Sequence, residues 1–166
     1  MTTIRDHAEG SHDDAWDLPS WPGILGTVAC LLGLGVSGYL TYEHYTSSSS
    51  LACSDNGVVN CLKVTTSSYS EVAGVPVALL GLVFFVVMLV LQLPVMWRRR
   101  DNAVRWIRLG WAIVGLGTVL YLFYAELFEI DAICLWCTSV HVLTLILFGS
   151  TVFATLSYPP PDGNGA

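Results

Sequence analysis

Charged side chains are scarce in this sequence. Only 12% of its 166 residues are charged, whereas a soluble globular domain has roughly 25%. Because 54% of the residues are hydrophobic, the sequence does not fit a disordered chain, which needs low hydrophobicity and high charge. Lys and Arg number only seven and the net charge is −6, so a nucleic-acid partner is not expected. These values indicate a small membrane protein.

Four long segments carry no charged residue at all. They contain 25, 26, 17 and 30 residues and lie at 18–42, 72–97, 109–125 and 132–161. A helix that crosses the hydrocarbon core needs about 20 mostly apolar residues. We therefore predict an all-α membrane protein, a bundle of four transmembrane helices near 21–42, 75–97, 106–127 and 133–156. The alternative, a soluble bundle of buried helices, needs more polar surface than a chain of this size provides.

The basic residues predict the orientation of these helices in the cell membrane. Five of the seven lie in or beside the connection between the second and third helices: Arg98, Arg99, Arg100, Arg105 and Arg108. The positive-inside rule places this connection and both termini in the cytoplasm. The prediction is then an acidic cytoplasmic tail at 1–20, a transmembrane domain at 21–157 with an outer loop at 43–74 and an inner arginine loop at 98–105, and a cytoplasmic tail at 158–166.

Four of the five cysteines fall on the predicted outer side. Cys53 and Cys61 belong to the outer loop, and Cys134 and Cys137 lie at the outer end of the fourth helix. Disulfides persist outside the cytoplasm and are reduced within it. The fifth, Cys30, stands alone in the middle of the first helix, where a buried thiol is interpreted as inert packing.

The spacing of Cys134 and Cys137 is that of a C-x-x-C motif. The two thiols occupy neighbouring positions of a helical turn and can form a reducible disulfide. Asp131 occupies a predicted N-cap position, which makes Cys134 the third helical residue, where free backbone N–H groups lower a thiol pKa. Nearby acidic residues oppose that shift. Cys137 lies one turn deeper, where a lipid-soluble redox partner can reach it.

The loop pair flanks a strong turn signal, Asp55-Asn56-Gly57. A three-residue loop at 56–58 makes Cys53 and Cys61 face each other, whereas a two-residue turn offsets them. Three interpretations of the two pairs stay open: structural disulfides, a Cys₄ zinc site, and a relay that passes electrons from the loop pair to the helix pair by disulfide exchange. The pattern favours the relay.

Four motifs follow one another along the chain: 35–42 (GVSGYLTY), 59–68 (VNCLKVTTSS), 74–81 (GVPVALLG) and 134–138 (CLWCT). Taken together and in this order, they resemble those of the vitamin K epoxide reductase family, and specifically its bacterial members that oxidise cysteines in secreted proteins. The resemblance implies a four-helix bundle around a quinone near the outer surface. The cysteine loop and a short capping helix cover that quinone.

The resemblance also implies roles for individual residues. Cys53 is the outermost thiol and exchanges with a thioredoxin-fold partner, Cys61 relays to Cys134 through a transient disulfide, and Cys137 is the thiolate next to the quinone. The loop serine of the family falls on Ser67, with Ser68 as the adjacent alternative. For either serine, helix capping is the competing interpretation.

His141 lies four residues beyond Cys137, on the same face of the fourth helix. Ionisable residues inside a membrane are costly and tend to be functional. In the resembling enzymes this position borders the quinone, so His141 is expected to contact it or to donate a proton. The competing interpretation is a histidine that is hydrogen-bonded to a neighbouring helix.

The function predicted from these features is a DsbB-like, quinone-dependent membrane thiol oxidase with no resident metal. It reoxidises a secreted or membrane-anchored thioredoxin-fold (DsbA-like) protein and passes the electrons to a menaquinone-type or ubiquinone-type quinone, or to vitamin K. Many bacterial relatives continue into a fused thioredoxin-like domain. This sequence stops at Ala166, so a separate partner is expected.

Two alternatives to this function are kept. The vertebrate enzymes contact vitamin K through a side-chain amide early in the second helix, and residues 77–80 contain none. This departure favours plain quinone reduction over vitamin K quinone or epoxide reduction. The other alternative is a non-enzymatic four-span scaffold whose outer loop is held by a structural disulfide.

Overall fold

The computed structural model describes residues 21–46, 53, 58–93, 96 and 102–157. The predicted tails at 1–20 and 158–166 lie outside the described residues, as does the Asp55-Asn56-Gly57 turn. Of the inner arginine loop predicted at 98–105, residues 98–101 also lie outside, and 102–105 are helical.

Five α-helices follow one another along the described chain. They are α1 (Trp21–Thr46), α2 (Cys61–Thr65), α3 (Val77–Gln92), α4 (Asn102–Tyr124) and α5 (Leu135–Ser157). A π-helical segment, Ala125–Ile130, continues α4. Between α2 and α3, a 3₁₀ turn at Ser68–Ser70 leads into an antiparallel hairpin of β1 (Glu71–Val72) and β2 (Val75–Pro76).

The hairpin turns through Ala73 and Gly74, whose φ angles are 54° and 79°. Two successive residues with positive φ are typical of tight hairpin turns, because this geometry matches the twist of the flanking strands. Glycine adopts it without a steric penalty. We call residues 58–76, which contain α2, the 3₁₀ turn and the hairpin, the cap. The short helix expected from the family resemblance is present in it as α2.

Among the residues that the structure describes, three helical segments are long and apolar enough to cross a membrane: Trp21–Thr46, Asn102–Ile130 and Leu135–Ser157. Helix α3 is also apolar but has 16 residues, about 24 Å at 1.5 Å per residue. The residues that follow it lie mostly outside the described part of the chain. Large apolar side chains such as Leu31, Val86 and Leu156 cover the outside of the bundle, as lipid contact requires. The fold is therefore that of an all-α membrane protein, and its described part contains three long apolar helices and a shorter one.

Several helix ends differ from the prediction. Helix α1 continues to Thr46 instead of ending at 42, because Glu43 stays buried against the bundle; the outer loop predicted at 43–74 therefore begins too early. The third predicted helix, 106–127, starts at Asn102 and extends through the π-helical segment to Ile130.

The second and fourth apolar helices begin two residues later than the sequence predicts, for a common reason. Val75 and Pro76 pair in the hairpin, so α3 begins at Val77 rather than 75. Ile133 likewise pairs with the cap: its N–H donates to Val58 O at 2.9 Å, and its carbonyl accepts from Asn60 N at 3.1 Å. Helix α5 therefore begins at Leu135 rather than 133.

Small residues bring the helices into close contact. At Gly33 of α1 and Gly115 of α4, a Cβ atom would overlap the rings of Phe85 and Phe84 of α3. Fully or nearly fully buried side chains form the centre of the bundle: Cys30, Phe85, Met88, Ala112 and Leu147. Cys30 is therefore a packing residue, as the sequence predicted.

Two arginines tie helix ends together on the side away from the cap. Arg105 Nη2 donates to Thr155 O near the end of α5, and Arg108 Nη2 donates to Leu91 O in the last turn of α3, both at 2.8 Å. Carbonyl groups at helix C-termini lack intrahelical partners and favour cations. These contacts fix the bundle at the end opposite the cysteines.

Candidate functional site

The loop pair is a disulfide between Cys53 and Cys61, whose Cα atoms are 6.0 Å apart. Cys61 is the first residue of α2 and is buried, whereas Cys53 is half-buried. Asn60 caps this helix, since its Oδ1 accepts from Lys63 N at 2.8 Å. The cap thus orients Cys61 inward and leaves Cys53 as the sulfur nearer the surface.

The C-x-x-C pair lies at the start of α5 with both thiols free. The Sγ atoms of Cys134 and Cys137 are 2.7 Å apart, and the backbone N–H of Cys137 donates to Cys134 Sγ at 3.2 Å. Cys134 is 0% exposed and Cys137 is half-buried. The two sulfurs therefore need little movement to form or break a disulfide with each other.

The predicted N-cap at Asp131 is wrong. Asp131 adopts a left-handed conformation (φ 50°, ψ 44°) and ends the π-helical segment. Cys134 itself precedes the first residue of α5: its carbonyl accepts from Thr138 N at 2.8 Å, and its sulfur accepts from Cys137 N. Cys134 is thus the capping residue rather than the third residue of the helix.

This position stabilises the thiolate of Cys134. The pKa of Cys134 is lowered, mainly by its hydrogen bond with the Cys137 side chain and further by backbone N–H groups. Burial and the carboxylate of Glu126 act in the opposite direction. A thiol with a lowered pKa is both a more available nucleophile and a better leaving group in disulfide exchange.

Both pairs belong to one cluster beneath the cap. Its buried members are Cys61, Val64, Ile130, Ala132 and Cys134, and Cys53, Tyr69, Trp136 and Cys137 pack against them. Val59 and Ile133 form an isolated parallel β-bridge, so the segments that lead to Cys61 and Cys134 lie side by side at this point. The inner sulfur of the loop pair and the buried sulfur of the C-x-x-C pair are thereby brought into one packed region.

This arrangement does not favour a zinc site. The disulfide uses both sulfurs of the loop pair, which leaves two free thiols, whereas structural zinc takes four ligands. Within the described ranges, no group of three or more His, Cys, Asp or Glu side chains is arranged to hold a metal ion.

A cavity of about 1030 Å³ lies below the cysteine cluster, between the cap and the four long helices. Cys137, Glu126, His141 and Ser67 are among its polar lining residues. Its side wall includes Leu80, Val83 and Val114, which are also exposed on the outer surface of the bundle. The cavity therefore reaches the lipid-facing surface between α3 and α4.

The floor of this opening is aromatic. Trp111 of α4 stacks on Phe84 of α3 with ring centroids 6.3 Å apart, and Trp111 Nε1 donates to Phe84 O at 3.3 Å. Gly115 lies against the same phenylalanine ring. These three residues hold α3 and α4 together below the opening.

His141 lines the cavity and is 5% exposed. Its Nδ1 atom has no hydrogen-bond partner among the residues that the structure describes, and its ring meets Phe123 edge-on at 6.4 Å. A buried polar atom without a partner is costly, and a quinone carbonyl is an acceptor that a ring N–H can satisfy. An apolar cavity with such a donor fits a quinone.

Ser67 and Ser68 both line the cavity, but their environments differ. Ser67 is half-buried and its hydroxyl donates to Val64 O at 2.7 Å, while Ser68 is exposed. Ser67 precedes the 3₁₀ turn without capping it through its side chain. Its hydroxyl oxygen still has a free lone pair for a further contact.

Sequence reasoning missed Glu126. It is 3% exposed and lines the cavity, whereas Glu129, one turn later, is exposed and hydrogen-bonded to Tyr69. The carboxylate of Glu129 raises the pKa of Tyr69. The available signal was that Glu126 is the first charge after a 17-residue uncharged stretch. By itself, this charge indicates only the end of an apolar helix.

A family model described as the vitamin K epoxide reductase family matches residues 24–152. The match spans most of the chain and includes all five cysteines, Glu126 and His141. The chain belongs to this family. It is therefore a multi-pass membrane oxidoreductase, of a family whose redox chemistry uses quinones.

Proposed function

We propose that this member of the vitamin K epoxide reductase family is a quinone-dependent thiol oxidase that reoxidises a secreted or membrane-anchored thioredoxin-fold protein. The main support for the proposal is the position of the buried cluster that contains Cys61 and Cys134. This cluster lies between the half-buried sulfur of Cys53 and the cavity that reaches the lipid-facing surface. A static scaffold with a structural loop disulfide has no need of a free C-x-x-C pair at such a cavity.

Electrons enter at Cys53. A partner thiolate attacks Cys53 Sγ, the bond between Cys53 and Cys61 breaks, and Cys61 leaves as a thiolate. The second thiol of the partner then attacks the partner's own sulfur in the mixed disulfide and frees Cys53. The partner has lost two electrons and gained a disulfide, and the loop pair is reduced.

The loop pair then passes the two electrons inward. The Cys61 thiolate attacks Cys134 of an oxidised C-x-x-C pair, forms a transient bond to Cys134, and displaces Cys137 as a thiolate. Cys53 next attacks Cys61, which restores the loop disulfide and leaves Cys134 and Cys137 reduced.

The cavity would hold the quinone, of menaquinone, ubiquinone or vitamin K type. A bound quinone would accept two electrons and two protons from the Cys134/Cys137 dithiol. Cys137 is assigned as the thiolate that faces it, His141 as the donor that holds a ring oxygen, and Ser67 as a polar contact on the cap side. The apolar opening between α3 and α4 suits a hydrocarbon tail.

The membrane arrangement belongs to the same proposal. Helix α3 belongs to the second of the four spans predicted from the sequence, 75–97, and the positive-inside rule then assigns both termini and the arginine loop to the cytoplasm. The cap and all four site cysteines then face the periplasmic or extracytoplasmic side, where disulfides persist.

The exposed surface beside the loop disulfide supports a protein partner. Val58 is 65% exposed and Leu62 is 51% exposed, on either side of Cys61. These apolar side chains give a thioredoxin-fold protein a surface to dock against while one of its cysteines reaches Cys53.

The test is quinone reduction by the detergent-purified protein, with a reduced thioredoxin-fold protein as electron donor and each cysteine replaced by alanine in turn. Loss of Cys53, Cys61, Cys134 or Cys137 should abolish turnover. Cys30→Ala is the matched control, because Cys30 lies in the helix core away from the site, and it should retain turnover. Turnover that survives Cys137→Ala would exclude the assigned role, and a wild type without turnover would favour the scaffold.

A further inference from the structure

Glu126 is a buried acid that the thiol relay described above does not use. It lies on the π-helical segment, is 3% exposed, and lines the cavity that also contains Cys137 and His141. Its Oε2 atom has no hydrogen-bond partner within the described residues. Burial of an unpartnered carboxyl oxygen is costly in free energy, and π-helical turns are frequent at functional sites.

The carboxyl group of Glu126 is adjacent to the reacting pair. Glu126 and Cys137 line the same cavity, and the carboxylate of Glu126 opposes ionisation of the neighbouring Cys134 thiol. The backbone fixes this placement, because Ala132 N donates to Glu126 O at 3.2 Å at the end of the π-helical segment. The Oε2 atom of this carboxyl group is left without a partner among the described residues and is available for proton exchange.

We propose that Glu126 is the acid–base group of the Cys134/Cys137 pair: its carboxylate accepts a thiol proton as the disulfide forms and releases that proton into the cavity. The inference rests on the proposed function. Oxidation of the dithiol to a disulfide releases two electrons and two protons, and a bound quinone would take up the two electrons and the two protons. Glu126 transfers one proton at a time and ends each cycle in the state in which it began.

Other titratable groups near this site have different positions. Cys134 and Cys137 face Glu126 from the start of α5. The other titratable residues that line the cavity are His141, Tyr69, Glu43, His44 and Glu71. Asp131 is three residues from Cys134 in the sequence, but its side chain is exposed. Asp131→Asn is therefore a matched control: it removes a nearby carboxylate, and asparagine tolerates the left-handed backbone that this position requires.

The first measurement needs no quinone. The fully reduced protein, labelled with ¹³C at cysteine Cβ, is titrated in micelles by NMR, and each thiol is assigned with single-cysteine variants. Glu126→Gln removes the negative charge that opposes ionisation of Cys134, so the Cys134 thiolate should form at lower pH than in the wild type. Asp131→Asn should leave that midpoint unchanged.

The second measurement is quinone reduction. Without the proton acceptor, Glu126→Gln should lower turnover by about 100-fold or more, the usual contribution of general acid–base catalysis. Exchange between the loop pair and the C-x-x-C pair should continue. Glu126→Asp keeps a carboxyl group and should restore part of the turnover, while Asp131→Asn should match the wild type.

The outcomes separate this inference from the proposed function. If the wild type reduces no quinone, the proposed function fails, and the titration still reports whether Glu126 acts on the thiols. An unchanged Cys134 titration in Glu126→Gln, or wild-type turnover in that variant, would overturn the role of Glu126. Formation of the Cys53–Cys61 disulfide shows whether Glu126→Gln folds. If it does not fold, Glu126→Asp must show a smaller shift of the Cys134 titration and a smaller loss of turnover. Absence of both changes in Glu126→Asp would also overturn the role.

Discussion

Replacement of His141 by leucine should stabilise the protein while it weakens quinone use. The imidazole is 5% exposed and its Nδ1 atom has no partner within the described ranges. A buried polar group without a hydrogen bond costs about 1–3 kcal/mol, and leucine fills similar volume without that cost. The free energy of unfolding of the quinone-free protein should therefore rise by about 1–3 kcal/mol.

The effect on function has the opposite sign. Loss of one neutral hydrogen bond to a quinone oxygen removes about 0.5–1.5 kcal/mol of binding free energy, which corresponds to an increase in KM for the quinone of about 2- to 12-fold. Steady-state quinone reduction measures this KM, and thermal unfolding in the same detergent measures stability. Opposite changes of this kind are common where a site sacrifices stability for binding.

Thr144→Val is the control for this substitution. Thr144 lies one turn below His141 on α5 and is buried, but its hydroxyl already donates to Val140 O at 2.9 Å. Its removal should leave the KM for quinone unchanged and should not stabilise the protein. A His141→Leu protein that is less stable than the wild type and has an unchanged KM would refute the reasoning.

Three further predictions follow from the site and the bundle. The double variant Cys53→Ser/Cys137→Ser should form a Cys61–Cys134 disulfide on mild oxidation, detected by mass spectrometry of the unreduced protein; absence of this bond would mean that the two segments do not meet. In the reduced wild type, Cys134 should ionise below the pKa of a free cysteine, about 8.5, because its folded-state pKa is lowered. The Cys134 thiolate therefore predominates above this lowered pKa and is protonated as the pH falls below it. A midpoint above about 8.5 in an NMR titration would contradict the prediction. Gly115→Ala should lower stability by about 1–3 kcal/mol because the added Cβ would lie 2.5 Å from the Phe84 ring, and an unchanged thermal midpoint would show that Phe84 moves freely.

The apolar helices could be predicted because the signal is local. A long segment without charged residues indicates a helix that is surrounded by lipid. The absence of charge between Asp17 and Glu43 therefore locates α1 without any knowledge of tertiary contacts. The C-x-x-C motif and the loop pair were recognisable for the same reason. Their chemistry depends on residue type and on short spacing.

What the sequence missed depends on contacts between distant segments. Ile133 bonds to the cap, which moves the start of α5 and turns Cys134 into its capping residue. Asp131 has the residue type of an N-cap, yet the backbone there is left-handed and ends the preceding helix. Glu126 and Glu129 look equivalent in sequence, and only the π-helical geometry buries one and exposes the other.

The most direct test of the relay is the reoxidation of the fully reduced protein under anaerobic conditions, with a quinone as the only oxidant and the redox state of each cysteine followed by mass spectrometry. In the wild type, Cys134 and Cys137 should oxidise first and the Cys53–Cys61 disulfide should follow. In Cys134→Ser, the loop pair should stay reduced, because its route to the quinone is removed. A loop disulfide that forms at the wild-type rate in Cys134→Ser would contradict the account.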